Sequence, residues 1–162
     1  MKTNGSKPGN LPDATGKRFA IVVARFYGDL ADMLVDGAKR GLVDCNAAEA
    51  DVYNVPGCFE LPLACRNLID TDRYDALVAL GVVIRGETPH FDFVAGECAR
   101  GIMDVQLSTS VPIGFGVLTT DNVAQAQERA DPKKGDKGFE AAIAAVTLLG
   151  ITAGVPRAGF RS

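Results

Sequence analysis

Four short apolar runs, separated by stretches with helical spacing, set the strongest limit on what this chain can fold into. RFAIVVA (Arg18–Ala24), DVYNV (Asp51–Val55), ALVALGVVI (Ala76–Ile84) and VPIGFGVL (Val111–Leu118) read as strands. Short β-branched runs without a polar face mark strands covered on both sides in a parallel sheet. From Asp29, a candidate N-cap, Leu30, Met33, Leu34, Val35, Ala38 and Leu42 recur at helical spacing, with Gly41 softening the end. Pro62 fits only the first turn of a second helix, which runs to about Asp70. A third helix follows Phe91, Val94, Cys98, Ile102, Val105 and Leu107. Asp121 can cap a short fourth helix that stops at the Pro132–Gly135 break, and a last helix starts near Lys137. This alternation requires right-handed crossovers between parallel strands. The expected fold is α/β: a three-layer αβα sandwich on a four-stranded parallel sheet, with flavodoxin-like topology.

Composition narrows the function classes. A chain of 162 residues is one domain. Its expected extent is 17–155, between a flexible arm over 1–16 and a tail over 156–162. With 17 Lys plus Arg against 20 Asp plus Glu, and no basic run, the chain has no electrostatic footprint for nucleic acid or an anionic membrane. The uncharged stretch Ala141–Pro156 is shorter than the ~20 residues a span needs and reads as a buried helix. Cys45, Cys58, Cys65 and Cys98 form no C-x-x-C pair, and the start lacks the apolar core of a signal peptide. A reduced, cytoplasmic protein fits both. His90 is the single histidine, so one chain cannot build a His-rich metal site, and no metal is expected. The expected partners are small molecules.

Ligands of such folds sit beyond the carboxyl ends of the strands, so the loops there carry the candidate chemistry. After the first strand, Phe26 either staples a helix to the sheet or offers a stacking face for a planar ring. The same loop lacks a Ser/Thr-rich phosphate cradle, and neither G-x-G-x-x-G nor G-x-x-x-x-G-K-[ST] occurs. After the second strand, Glu60 at a helix start either satisfies its own backbone or accepts hydrogen bonds from ligand hydroxyls. After the third, VIRGETPH combines Gly86, where backbone can approach a ligand, with the Thr88 hydroxyl and the N–H groups of a helix start, a setting suited to phosphate. His90 stands beside them, either capping the helix start or, among these convergent polar groups, taking up and releasing protons. Arg129 and Lys137 flank ADPKKGDKG, where they form a solvated corner or, with a phosphate-bearing substrate, a fork and a point charge.

RF after the first strand, VPGCFELP, LGVVIRGETPHFDFV, FGVLTTDN and QAQERA with a following KG together resemble the lumazine synthase family. The resemblance runs from Arg18 to Leu149. It implies the penultimate step of riboflavin biosynthesis, in which 5-amino-6-(ribitylamino)uracil condenses with 3,4-dihydroxy-2-butanone 4-phosphate to 6,7-dimethyl-8-ribityllumazine, phosphate and water, with no cofactor. Carried over, Phe26 stacks on the pyrimidine, and Cys58, Phe59 and Glu60 hold the ribityl chain. Val82, Val83 and Ile84 line the uracil edge, Glu87 and Thr88 bind phosphate with Arg129, and His90 relays protons. Phe115, Arg129 and Lys137 come from a neighbouring subunit. The chain departs from the family pattern at three places: Tyr27 stands where Asn is usual, Cys58 where Ala is usual, and Asp131–Pro132 where a Gly-containing turn is common.

The resemblance also implies a homopentamer, in some members twelve of them closed into an icosahedral capsid, with riboflavin synthase as a further partner. The segment from Arg129 to Lys137 shows no insertion of the kind that non-shell members carry, which leans towards a shell. Two other readings compete. A scaffold that binds lumazine or flavin without turnover has no need of His90, Glu60, Thr88, Arg129 and Lys137 together. A signalling module needs an acidic pair after the first strand, and none is there.

Overall fold

The computed structural model describes residues 10–153 and Val155. Strands β1 (Phe19–Ala24), β2 (Asp51–Val55), β3 (Ala76–Ile84) and β4 (Ile113–Thr120) form one parallel sheet in the order β2-β1-β3-β4. Helices α1 (Gly28–Asp44), α2 (Leu61–Ile69), α3 (His90–Thr109), α4 (Val123–Ala130) and α5 (Lys137–Ile151) cover it on both faces, with a 3-10 turn at Cys58–Glu60 ahead of α2. The expected three-layer sandwich is the observed one. Its chain order reverses between β1 and β3, so the loops leaving those two strands flank the crevice in which ligands of open parallel sheets bind.

Every residue of β1 is buried, and successive side chains divide between two cores. Phe19, Ile21 and Val23 join Val78 and Leu80 of β3 under Leu34, Ala38 and Leu42 of α1, Ala126 of α4, and Ala141 and Ala145 of α5. Ala20, Val22 and Ala24 join Leu77 and Ala79 under Leu61, Cys65 and Ile69 of α2 and Cys98 and Ile102 of α3. The period-two alternation of a strand thus feeds two apolar layers, which is why these runs carry no polar face. Register aligns Ala24 with Val55 and Ile84 with Thr120, and Val23 with Leu80, so β3 and β4 run about three residues beyond the ends of β1 and β2.

Several boundaries differ from the sequence-based expectation, each for a local reason. Helix α1 starts one residue ahead of Asp29, with Tyr27 at the N-cap and Asp29 in the first turn, where a carboxylate suits the helix dipole. Gly41 does not end α1. A Cβ there would lie 3.0 Å from the Ala142 Cβ and 3.2 Å from the Phe139 carbonyl oxygen, so the glycine admits α5 against the helix. Strand β4 is shifted two residues along, and the cap of α4 is Asn122 rather than Asp121: the Asn122 side chain accepts the Gln125 N–H at 2.9 Å. Helix α5 is buried along one side only, through Phe139, Ala142, Ala145 and Val146, while Leu148 and Ile151 are exposed. Of the stretch read as an arm, Leu11 packs on the α1 side, and buried Ala14 donates its N–H to the Cys45 carbonyl at 2.6 Å. Residues 1–9 and the tail over 156–162 lie outside the described residues.

Candidate active site

The loop after β1 is pinned before it reaches Phe26. The Arg25 N–H donates to the Val55 carbonyl at 2.9 Å, its Nε to Asn54 Oδ1 at 2.7 Å, and its guanidinium pairs with Asp32 of α1. Phe26 itself is 75% exposed and meets Tyr27 edge to face. It does not staple α1 to the sheet, and the half-buried Tyr27 packs against the core in that place.

After β2, the turn Cys58–Glu60 presents Phe59 to solvent at 63% exposure and turns Cys58 inward against Gly81. Glu60 Oε2 accepts the Gly57 N–H at 3.1 Å, so its carboxylate steadies its own turn while the residue stays exposed. Cys58 and Cys98 are hydrogen-bonded, and this bond together with burial pushes the Cys98 thiol far up; burial alone pushes Cys65 up to about 12. All four cysteines are free and buried. Cys98 and Cys65 are thus held as thiols, not as nucleophiles. The Cys98 bond, in contrast, draws the Cys58 thiol down. Cys58→Ala removes only a small buried thiol, and is expected to keep kcat within about threefold of wild type at a stability cost of about 1 kcal/mol, read from product formation and thermal melting. A tenfold loss of turnover would give the thiol a part in the reaction.

At the end of β3, Val82 is buried and Val83 and Ile84 are half-covered, and the residues from Arg85 to His90 are exposed. Thr88 Oγ1 accepts the His90 N–H at 3.4 Å, which ties the loop to the first turn of α3. Arg85 fixes this loop from the other side. Its N–H donates to the Thr120 carbonyl at 2.9 Å, and its guanidinium reaches Asp92 at 3.3 Å and Asp121 at 3.3 Å. It also lies 4.3 Å from the centre of the Phe91 ring. The Asp92 bond first, and Asp121 after it, hold this guanidinium more firmly protonated than usual. Sequence reasoning passed over Arg85 because it sat inside a motif read for Gly86, Thr88 and His90. The acidic residues seven and thirty-six positions away gave no local signal.

The remaining candidates gather elsewhere. Phe115 of β4, Arg129 of α4 and Lys137 of α5 line an open groove of about 400 Å³ together with Glu140 and Ala141. None of Phe26, Cys58, Glu60, Thr88 or His90 lines it. The break between α4 and α5 brings the two cations together. Gly135 donates its N–H to the Glu128 carbonyl at 2.9 Å and lies so close to Arg129 that a Cβ there would be 2.7 Å from the Arg129 Cα. Asp136 takes a left-handed backbone and is gripped by Arg40 at 2.7 and 3.2 Å. Lys137 Nζ pairs with Glu140 Oε2 at 2.8 Å, while Arg129 donates to the Gln125 carbonyl at 3.1 Å. Among the described residues, no group of three or more His, Cys, Asp or Glu side chains is placed to hold a metal ion.

Two sets of groups thus stand apart on one chain: the exposed loop residues Phe26, Phe59, Glu60, Thr88 and His90, and an open groove that holds Arg129 and the Lys137–Glu140 pair. Residues 16–152 match the family model for 6,7-dimethyl-8-ribityllumazine synthase. The chain is also 52% identical over 139 residues to the 6,7-dimethyl-8-ribityllumazine synthase of Cutibacterium acnes, a match covering 85% of this chain and 82% of that protein. The fold, the loops and the match over nearly the whole domain agree, and the chain belongs to the 6,7-dimethyl-8-ribityllumazine synthase family, transferases of riboflavin biosynthesis.

Proposed function

We propose that the family's condensation, which joins 5-amino-6-(ribitylamino)uracil to 3,4-dihydroxy-2-butanone 4-phosphate and releases phosphate and water, runs here in a site completed across a subunit boundary. The carrying observation is the separation of the two sets of groups: the groove of Phe115, Arg129 and Lys137 includes none of the loop residues around His90. A cyclic assembly repeats one heterologous interface, so the groove of each subunit can face the loops of the next. Phe26 then stacks on the pyrimidine, the 3-10 turn Cys58–Phe59–Glu60 holds the ribityl hydroxyls, and Val82, Val83 and Ile84 border the uracil. Glu87 and Thr88, with the backbone N–H groups of the α3 start, hold the phosphate against Arg129 of the neighbour. Lys137 adds a second positive charge there.

Imine formation, phosphate elimination and ring closure each move a proton, and in this reading His90 relays them. Holding two substrates in register supplies much of the remaining acceleration, since well-oriented reactants reach effective molarities of about 10⁵ M or more. The ring in this reading is the homopentamer that the family resemblance implies. Closure of pentamers into a capsid, riboflavin synthase as a partner and a cytoplasmic setting belong to the same proposal. The four free cysteines support that setting.

Arg129→Ala tests the phosphate assignment. It is expected to raise KM for the butanone phosphate about tenfold or more, with a smaller change in KM for the pyrimidine, in steady-state assays of lumazine absorbance. Equal KM values in variant and wild type would remove Arg129 from the site. Sedimentation at physiological salt reports the assembly: a sixty-subunit particle supports the capsid, and a pentamer alone contradicts it.

A further inference from the structure

We infer that Tyr27 is a positioning residue for Phe26, holding that ring in the attitude in which it receives a flat heterocycle; the inference rests on the assignment of Phe26 to the pyrimidine. Phe26 is 75% exposed, so the fold's own packing does little to keep its ring in place. Its backbone is nevertheless framed on both sides. Ahead of it, Arg25 is bonded to the Val55 carbonyl and to Asn54 Oδ1. Behind it, the Tyr27 carbonyl accepts the Ala31 N–H at 2.9 Å and so opens α1, while the Tyr27 ring packs on the core cluster that also takes Ile84.

The two rings stand 4.9 Å apart at 74°. An edge-to-face neighbour steadies an aromatic ring and leaves a face open, whereas a stacked neighbour would occupy it. An exposed side chain that a ligand must immobilise weakens binding, and one already held does so less. Tyr27 therefore acts through Phe26 and on the heterocyclic substrate only.

The test is a double-mutant cycle on the full chain, with Tyr27→Leu, Tyr27→Phe, Phe26→Leu and the double variant Tyr27→Leu/Phe26→Leu. KM for the pyrimidine and Kd for the lumazine product, read by its fluorescence, are measured for each. Tyr27→Leu is expected to raise both about three- to tenfold, with kcat and KM for the butanone phosphate near wild type and Tyr27→Phe close to the parent. In the Phe26→Leu background the same change is expected to add nothing. If Tyr27→Leu weakens binding equally in both backgrounds, Tyr27 acts independently of Phe26 and the inference fails. If Phe26→Leu weakens binding and Tyr27→Leu does not, the inference fails alone and the site assignment stands. If Phe26→Leu changes neither constant, the assignment of Phe26 fails and the inference with it. Should Tyr27→Leu not fold, Tyr27→Met is read by the same criteria.

Discussion

His90→Ala is expected to lower kcat about 10²-fold or more while leaving thermal melting and sedimentation at wild-type values. The expectation follows from where the residue stands. His90 is the first residue of α3 and is exposed, and the bond that ties it to the loop runs from its backbone N–H to Thr88, so alanine keeps it. No buried contact is lost, which is why stability stays and turnover falls. The chain offers no second imidazole to take over the proton relay. A kcat within about threefold of wild type would take His90 out of the chemistry and leave positioning of the two substrates as the whole source of acceleration.

Gly138→Ala is expected to cost about 3 kcal/mol or more, which for a domain of this size lowers Tm by roughly 6–12 °C. A Cβ on Gly138 would sit 2.1 Å from the Leu34 carbonyl oxygen and 2.8 Å from the Leu34 carbonyl carbon. Both neighbours are backbone atoms on the buried side of α1, so no side chain can swing aside and α5 must move away from α1. The same close approach recurs at Gly114, whose Cβ would fall 2.1 Å from the Ala141 carbonyl oxygen, so α5 is wedged between α1 and β4 by two glycines. Because Lys137 opens α5 and helps line the basic groove, the displaced helix should also raise KM for the butanone phosphate. A melting shift under about 2 °C would show that α1 and α5 separate freely, contrary to the packing.

The layered fold was legible because burial on both faces strips polar residues from β1 and β3, and the helical segments between the strands call for parallel crossovers. The helix ends were less legible. Asp29 and Asp121 have the chemistry of caps, yet Tyr27 and Asn122 occupy those places, because the strand ends and the Arg85 to Asp121 pair fix where the chain turns. Gly41 looked like punctuation and is instead a contact point for α5, which only the tertiary structure could supply. At the site, the loop residues after β1, β2 and β3 were readable from the rule that strand ends carry ligands. The separate groove of Phe115, Arg129 and Lys137 came from the family resemblance, since spacing alone left those cations as a solvated corner. Arg85 stayed hidden because its partners lie far away in sequence, and Tyr27, noted only as a departure from the family pattern, because its contact with Phe26 is a matter of ring geometry.

Subunit mixing tests the shared site most directly. His90→Ala and Arg129→Ala chains, each impaired alone, are co-expressed with different tags, and mixed assemblies are purified and assayed at a butanone phosphate concentration well below the Arg129→Ala KM. With the groove of one subunit serving the loops of the next, random mixing gives intact sites at about a quarter of the interfaces, and activity rises to about a quarter of wild type. Activity that stays at the average of the two variants would place both residues in one subunit's site and contradict the account.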